Sequence, residues 1–84
     1  MVKRIGVVVF NDNFNTFKDV IEILQENIGY PKAQAEQCAH QIHNKGSYLV
    51  KSFPIKDRDI ADEVVDLLID NGLIAKLISY SEKP

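Results

Sequence analysis

Seven residues near the amino end, Arg4-Ile5-Gly6-Val7-Val8-Val9-Phe10, form a β-branched run that the polar triplet Asn11-Asp12-Asn13 cuts off. The run is far short of the ~20 apolar residues of a membrane span. Its β-branching favours extended backbone. It reads as a strand with both faces at least partly covered. In a chain of 84 residues, that cover has to come from the few elements that follow, because so short a chain buries only ~60–65% of its unfolded surface.

After the loop the apolar period changes from two to 3.6. Phe17, Val20, Ile21, Leu24 and Ile28 lie on one stripe of a helix expected over residues 16–28. Asn15 or Thr16 can cap its first turn, Asp19 sits near the positive end of its dipole, and Gly29 supplies a left-handed stop. Pro31 opens a second helix, where its missing N–H would be unpaired in any case. Ala35, Cys38, Ala39 and Ile42 form the buried stripe of that helix, and Gly46 closes it. So short a connection folds the two helices into a hairpin.

Residues 47–53 (SYLVKSF) read as a second strand ended by Pro54. A third helix is expected over residues 57–71, with Ile60, Ala61, Val64, Leu67 and Leu68 inward and Gly72 as its stop. Residues 73–79 (LIAKLIS) read as the last strand, and the tail from Tyr80 to Pro84 is expected to fray. The order β-α-α-β-α-β predicts an α+β domain over residues 1–84, with three helices packed on one face of a small sheet.

Charge and cysteine content narrow the function classes. Ten bases against twelve acids give a net charge of −2, so there is no general electrostatic reason to bind nucleic acid. No apolar run is long enough to enter a membrane. The single cysteine, Cys38, excludes an intrachain disulfide framework. With no signal peptide apparent, a reducing cytoplasm is the expected compartment. Asp57, Asp59, Asp62, Glu63, Asp66 and Asp70 are half of all the acids, with Arg58 the only base among them. This acidic strip is either a solvated helix face or a docking face for a basic partner.

The loop Phe10–Thr16 joins a strand end to a helix start. Its asparagines and Asp12 make an Asx-rich turn with an N-cap, or else a set of acceptors (Asn11 and Asp12) for a cation at the edge of an apolar groove. On the second helix, Glu36, His40 and His43 lie within about 60° of one another. A two-histidine, one-carboxylate metal face is therefore to be weighed. Helical metal pairs usually use i, i+4 spacing, however, and these histidines stand at i, i+3. No metal or other cofactor is expected. His43, at the border of the apolar stripe, is either a core-edge residue or a polar group at the rim of an apolar pocket. Cys38 points to the core side, which argues against a reactive thiol. There is no Gly-rich phosphate loop and no Ser-His-Asp candidate, so no catalytic residue is assigned and an enzyme is not expected.

Taken together, VVFNDNFNTFKDVIEIL, AEQCAHQIHNKG, the strand after it, the acidic helix and GLIAKLI resemble the ClpS adaptor family from about Val7 to Leu77. The signature of that family is Asn-Asp-Asp, then Thr and an apolar helix, then His-x-x-Gly about thirty residues on. Here it reads Asn11-Asp12-Asn13, Thr16-Phe17 and His43-Asn44-Lys45-Gly46. The resemblance implies a three-stranded antiparallel sheet under three helices, similar to the C-terminal domain of the bacterial ribosomal stalk protein. It also implies an adaptor for a Clp AAA+ ATPase and its protease, recognising the N-terminal residue of a substrate protein or peptide (an N-degron). Carried over by position, Asn11, Asp12 and His43 hold the substrate α-amine. Phe17, Val20, Ala39, Ile42 and Leu73 line the pocket for a bulky apolar first side chain. Asp57, Arg58, Asp59 and Asp62 are the candidates for docking on the ATPase.

The chemistry of these residues agrees with that role. An α-ammonium needs acceptors and an opposing charge, and each charge-assisted bond is worth ~1.5–3 kcal/mol. His43 must present a neutral nitrogen to accept, so its protonation should weaken binding. An acetylated or internal residue leaves Asp12 unpaired. Two departures from the pattern stand out: Asn13 replaces the second acid of the loop, and Ala39 stands where a bulky residue, often Met, is common. The expectation is a roomier pocket that admits Trp or β-branched residues, with Phe17 filling space from the other wall. The alternative is a docking module of the same fold that modulates the ATPase without delivering substrates. A monomer is expected, since no apolar stripe is left over. Family members usually carry a flexible extension before the first strand, thought to engage the ATPase. Here Met1, Val2 and Lys3 alone precede the predicted strand, so the resemblance carries recognition further than delivery.

Overall fold

The computed structural model describes residues 2–82. Strand β1 (Val2–Phe10) is central in a three-stranded sheet, flanked by β2 (Ser47–Pro54) and β3 (Ile74–Glu82), and both pairings are antiparallel. The helices are α1 (Phe17–Ile28), α2 (Lys32–Lys45) and α3 (Arg58–Asp70), the last entered through a single 3₁₀ turn, Ile55–Asp57. The expected element order and α+β architecture are both present.

Alternation along β1 fixes which face the helices take. Ile5, Val7 and Val9 are sealed against Leu24 of α1, Ala35, Cys38, Ala39 and Ile42 of α2, and Ala61 and Leu68 of α3. Each large side chain so buried contributes about 1.5–3 kcal/mol of transfer free energy. On the opposite face, Gly6 leaves room for Leu49, Ile78 and Tyr80, which lean across it. A Cβ at Gly6 would stand 3.1 Å from Ile78 Cγ1 and 3.2 Å from Tyr80 Cε1.

The β1–β2 register shifts between Val7, opposite Lys51, and Val8, opposite Leu49. The bulge leaves Val50 as the extra residue and turns its side chain into the core. The Tyr30 hydroxyl, from the turn between α1 and α2, donates to the Val50 carbonyl. That bond satisfies a polar group the irregular ladder would otherwise strand.

Three expectations need correction. On α3 the inward residues are Ala61, Val65 and Leu68, with Val64 at the border, while Ile60 (51% exposed) and Leu67 (45% exposed) face outward. The tail does not fray at Tyr80. Strand β3 continues to Glu82, paired with β1 as far as Val2, so β1 also starts earlier than the sequence run implied. Tyr80 is held by a 2.6 Å hydrogen bond between its hydroxyl and Ser52 Oγ, which also accepts from Arg4 Nε. Met1, Lys83 and Pro84 lie outside the described residues. Finally, Pro31 stands at the N-cap of α2 and not within it. No helix among the described residues is long and apolar enough to cross a membrane.

Candidate functional site

The loop after β1 is built around one carboxylate. Asp12 Oδ1 accepts the backbone N–H groups of Phe14 (2.8 Å) and Asn15 (2.7 Å), and Oδ2 accepts the Asn15 side-chain amide (3.0 Å). This is the local bonding that short Asx side chains favour in turns. Asn15 Nδ2 also donates to the Gly72 carbonyl at 2.8 Å, tying the loop to the turn between α3 and β3. Thr16 then caps α1 in a reciprocal box: its hydroxyl accepts from Asp19 N–H, and the Asp19 carboxylate accepts from Thr16 N–H.

The other end of the loop is pinned to α2. Asn11 N–H donates to the Gly46 carbonyl at 2.9 Å. Gly46 adopts φ +86°, which lets α2 turn directly into β2 beside the end of β1. The last turn of α2, carrying His43, is thereby brought to residues 11–12, more than thirty positions earlier in the chain.

Between these elements lies a cavity of about 320 Å³. Pockets for small ligands run from ~300 to ~1,000 Å³, so this one fits a side chain and its amine better than a large cofactor. Asn11, Asp12 and His43 contribute to its polar lining, and Phe17, Val20, Ala39 and Ile42 form its apolar lining. Asn13, Asn15 and Thr16 complete the wall. Burial raises the pKa of Asp12, but hydrogen bonds from the Asn15 N–H, the Asn15 side chain and the Phe14 N–H outweigh it and hold the carboxyl below its ordinary value of 3.8. The cavity thus keeps a fixed negative charge beside an apolar wall.

Leu73 is not in this wall. Its N–H bonds to the Leu68 carbonyl, while Gly72 N–H bonds to Ile69, and the Leu73 side chain is buried in the core. Together these bonds make a Schellman stop, in which the residue after the glycine packs back on its own helix. The docking candidates lie elsewhere: Arg58, Asp59 and Asp62 are exposed on α3 and Asp57 is half-buried just before it. Asn15 was legible only as a cap. Its spacing three residues after Asp12 was the available signal for the clamp.

Glu36, His40 and His43 are drawn to different partners. Glu36 pairs with Lys32 at 4.0 Å, His40 packs on Phe17, and His43 lines the cavity. Among the described residues, no three His, Cys, Asp or Glu side chains gather as a metal site. Cys38 is buried, which pushes its thiol pKa up, the direction of an inert core thiol.

Comparison with known proteins follows the same outline. Residues 2–73 match the family model described as ATP-dependent Clp protease adaptor protein ClpS. The solved structure of Agrobacterium tumefaciens ClpS2 bound to L-phenylalaninamide has a similar fold, with a TM-score of 0.75 at 18% identity, covering 95% of this chain and 100% of that one. No curated protein matches the chain.

Proposed function

The chain belongs to the ClpS family of ATP-dependent Clp protease adaptors, and from that premise we propose that its cavity binds the free N-terminal residue of substrate proteins. The observation that carries this reading is the composition of the cavity wall. One structurally held carboxylate, an asparagine and a histidine line the same cavity as Phe17, Val20, Ala39 and Ile42. The ligand in the similar Agrobacterium structure, L-phenylalaninamide, combines a free α-amine with an aromatic side chain, which is the pairing this wall complements.

In this reading Asp12 opposes the ammonium charge, while Asn11 and His43 accept its remaining hydrogens. Three acceptors around one ammonium match its three donors. Acetylation removes the charge that opposes Asp12 and a donor to the acceptors around it, which gives discrimination against blocked and internal residues. The apolar wall supplies affinity, about 1.5–3 kcal/mol for a buried Leu or Phe side chain. Ala39 adds little bulk to that wall, so Trp and branched first residues fit beside Phe, Tyr and Leu.

Fluorescence anisotropy with paired free and acetylated peptides beginning Phe, Leu, Tyr or Trp tests this. Micromolar-range binding of the free forms and loss on acetylation are expected. Equal binding of both forms ends the reading.

The exposed face of α3 supports a second role for the same chain, docking on the Clp ATPase. Ile60 and Leu67 stand about half exposed next to Asp59, Asp62, Glu63 and Asp66, an apolar strip rimmed with acids that suits a basic partner surface. With Asp57 and Arg58 at its start, this face is the proposed contact. The competing reading is docking without substrate delivery. It gains if the wild type never binds peptides and a double Asp12→Ala, His43→Ala variant docks unchanged.

A further inference from the structure

His40 lies outside the cavity wall, yet its imidazole packs on a residue that forms it. The ring centroids of Phe17 and His40 are 4.6 Å apart with planes tilted by 59°. Phe17 opens α1 and is 39% exposed, and His40 is exposed on α2. The pair therefore bridges the two helices that flank the cavity, at the solvent edge of its apolar wall.

A helical Phe has more than one open χ1 rotamer, and a half-exposed ring in a first turn has few neighbours to choose between them. A ring on the facing helix supplies that choice. Tilted aromatic pairs are directional, because each ring carries a negative face and a positive edge. Aliphatic contacts carry no such direction.

Resting on the adaptor reading above, we propose that His40 is a positioning residue: it holds the Phe17 ring as an oriented aromatic wall and so biases the cavity towards aromatic over aliphatic first side chains. The flat ring of a bound Phe, Tyr or Trp gains its tilted or offset contact only while the Phe17 ring is held in one orientation. A Leu side chain packs against that ring in several orientations nearly equally well.

The test compares peptides beginning with Phe and with Leu on the wild type, His40→Ala and His40→Phe, each checked for an unchanged thermal midpoint. His40→Ala should weaken the Phe peptide about three- to tenfold and leave the Leu peptide within about twofold, the range a lost aromatic pair implies. His40→Phe should restore the Phe peptide. A purely structural role for His40 would weaken both peptides together. That result, or no change in the ratio of the two affinities, or no rescue by His40→Phe, overturns the proposal while leaving the adaptor reading intact. A wild type that binds neither peptide ends both.

Discussion

The Asn15 side-chain nitrogen donates to the Asp12 carboxylate at 3.0 Å and to the Gly72 carbonyl at 2.8 Å. One amide thus aims the charged group of the loop and fastens it to a turn 57 positions away. The position of the carboxylate is set by the packing of α3 and β3 as well as by its own loop.

Asn15→Ala should therefore affect binding more than folding. The lost hydrogen bonds are partly solvent-exposed, so the stability cost should stay at about 0.5–1.5 kcal/mol in urea unfolding. Affinity for a free-amine peptide should fall severalfold, because Asp12 loses its side-chain clamp. An unchanged affinity would show that the backbone bonds from Phe14 and Asn15 suffice to hold the carboxylate.

Asp12 titrates below its ordinary value of 3.8 because three hydrogen bonds favour its ionised form over the penalty of burial. A carboxyl with a folded pKa below its unfolded one stabilises the fold fully above the unfolded value and loses that contribution as pH falls through the folded one. The Phe14 and Asn15 amide resonances should shift together on acidification with a midpoint below 3.8. A midpoint at or above that value contradicts the clamp, and Asp12→Asn should abolish the transition.

Gly72 holds φ +94°, with nothing nearer to an added Cβ than Asn15 Oδ1 at 3.9 Å. There is space for a methyl group, so the cost of Gly72→Ala is backbone strain, about 1–2 kcal/mol. In a domain of this size each 1 kcal/mol lowers the thermal midpoint by about 4–8 °C. A midpoint within a degree of wild type would mean that the turn relaxes out of the left-handed region.

Leu67 and Leu68 are neighbours with opposite fates. Leu68 is wholly buried and Leu67 is 45% exposed. Leu68→Ala should cost about 2–5 kcal/mol through loss of burial and the cavity left behind. Leu67→Ala should stay within about 0.5 kcal/mol, as surface changes do. Comparable losses from the two would return Leu67 to the core.

That pair also explains where the sequence was readable. The stripe of α2 is flanked by polar residues, so periodicity chooses one face for it, and Ala35, Cys38, Ala39 and Ile42 are all buried. On α1, Ile21 and Leu24 are buried, but Ile23, off the predicted stripe, is buried with them and Phe17, on it, is 39% exposed. On α3 the apolar residues Ile60, Ala61, Val64, Val65, Leu67, Leu68 and Ile69 spread round more than half the helix. Local period cannot then pick the buried side, which the structure gives to Ala61, Val65 and Leu68. Leu73 misled for a related reason. Its apolar character marks it for burial, and it is buried, but the Schellman bonds tie its backbone to the end of α3 and it does not line the cavity. Tyr80 sits in a polar tail, and its ladder pairing opposite Arg4 of β1 and its hydroxyl bond to Ser52 of β2 make it part of the sheet.

The sequence by itself determined the element order, the three glycine stops, and the residue types able to take an amine and an apolar side chain. Those are local properties, carried by period, by φ preference and by the chemistry of each side chain. Only the tertiary structure decided that Asn11, Asp12 and His43 share one wall, that Leu73 leaves it, and that His40 leans on Phe17. Each of these depends on contacts between distant segments: the Asn11–Gly46 bond, the Asn15–Gly72 bond and the packing of α1 on α2. A linear pattern names the groups, but long-range hydrogen bonding and burial choose which of them meet.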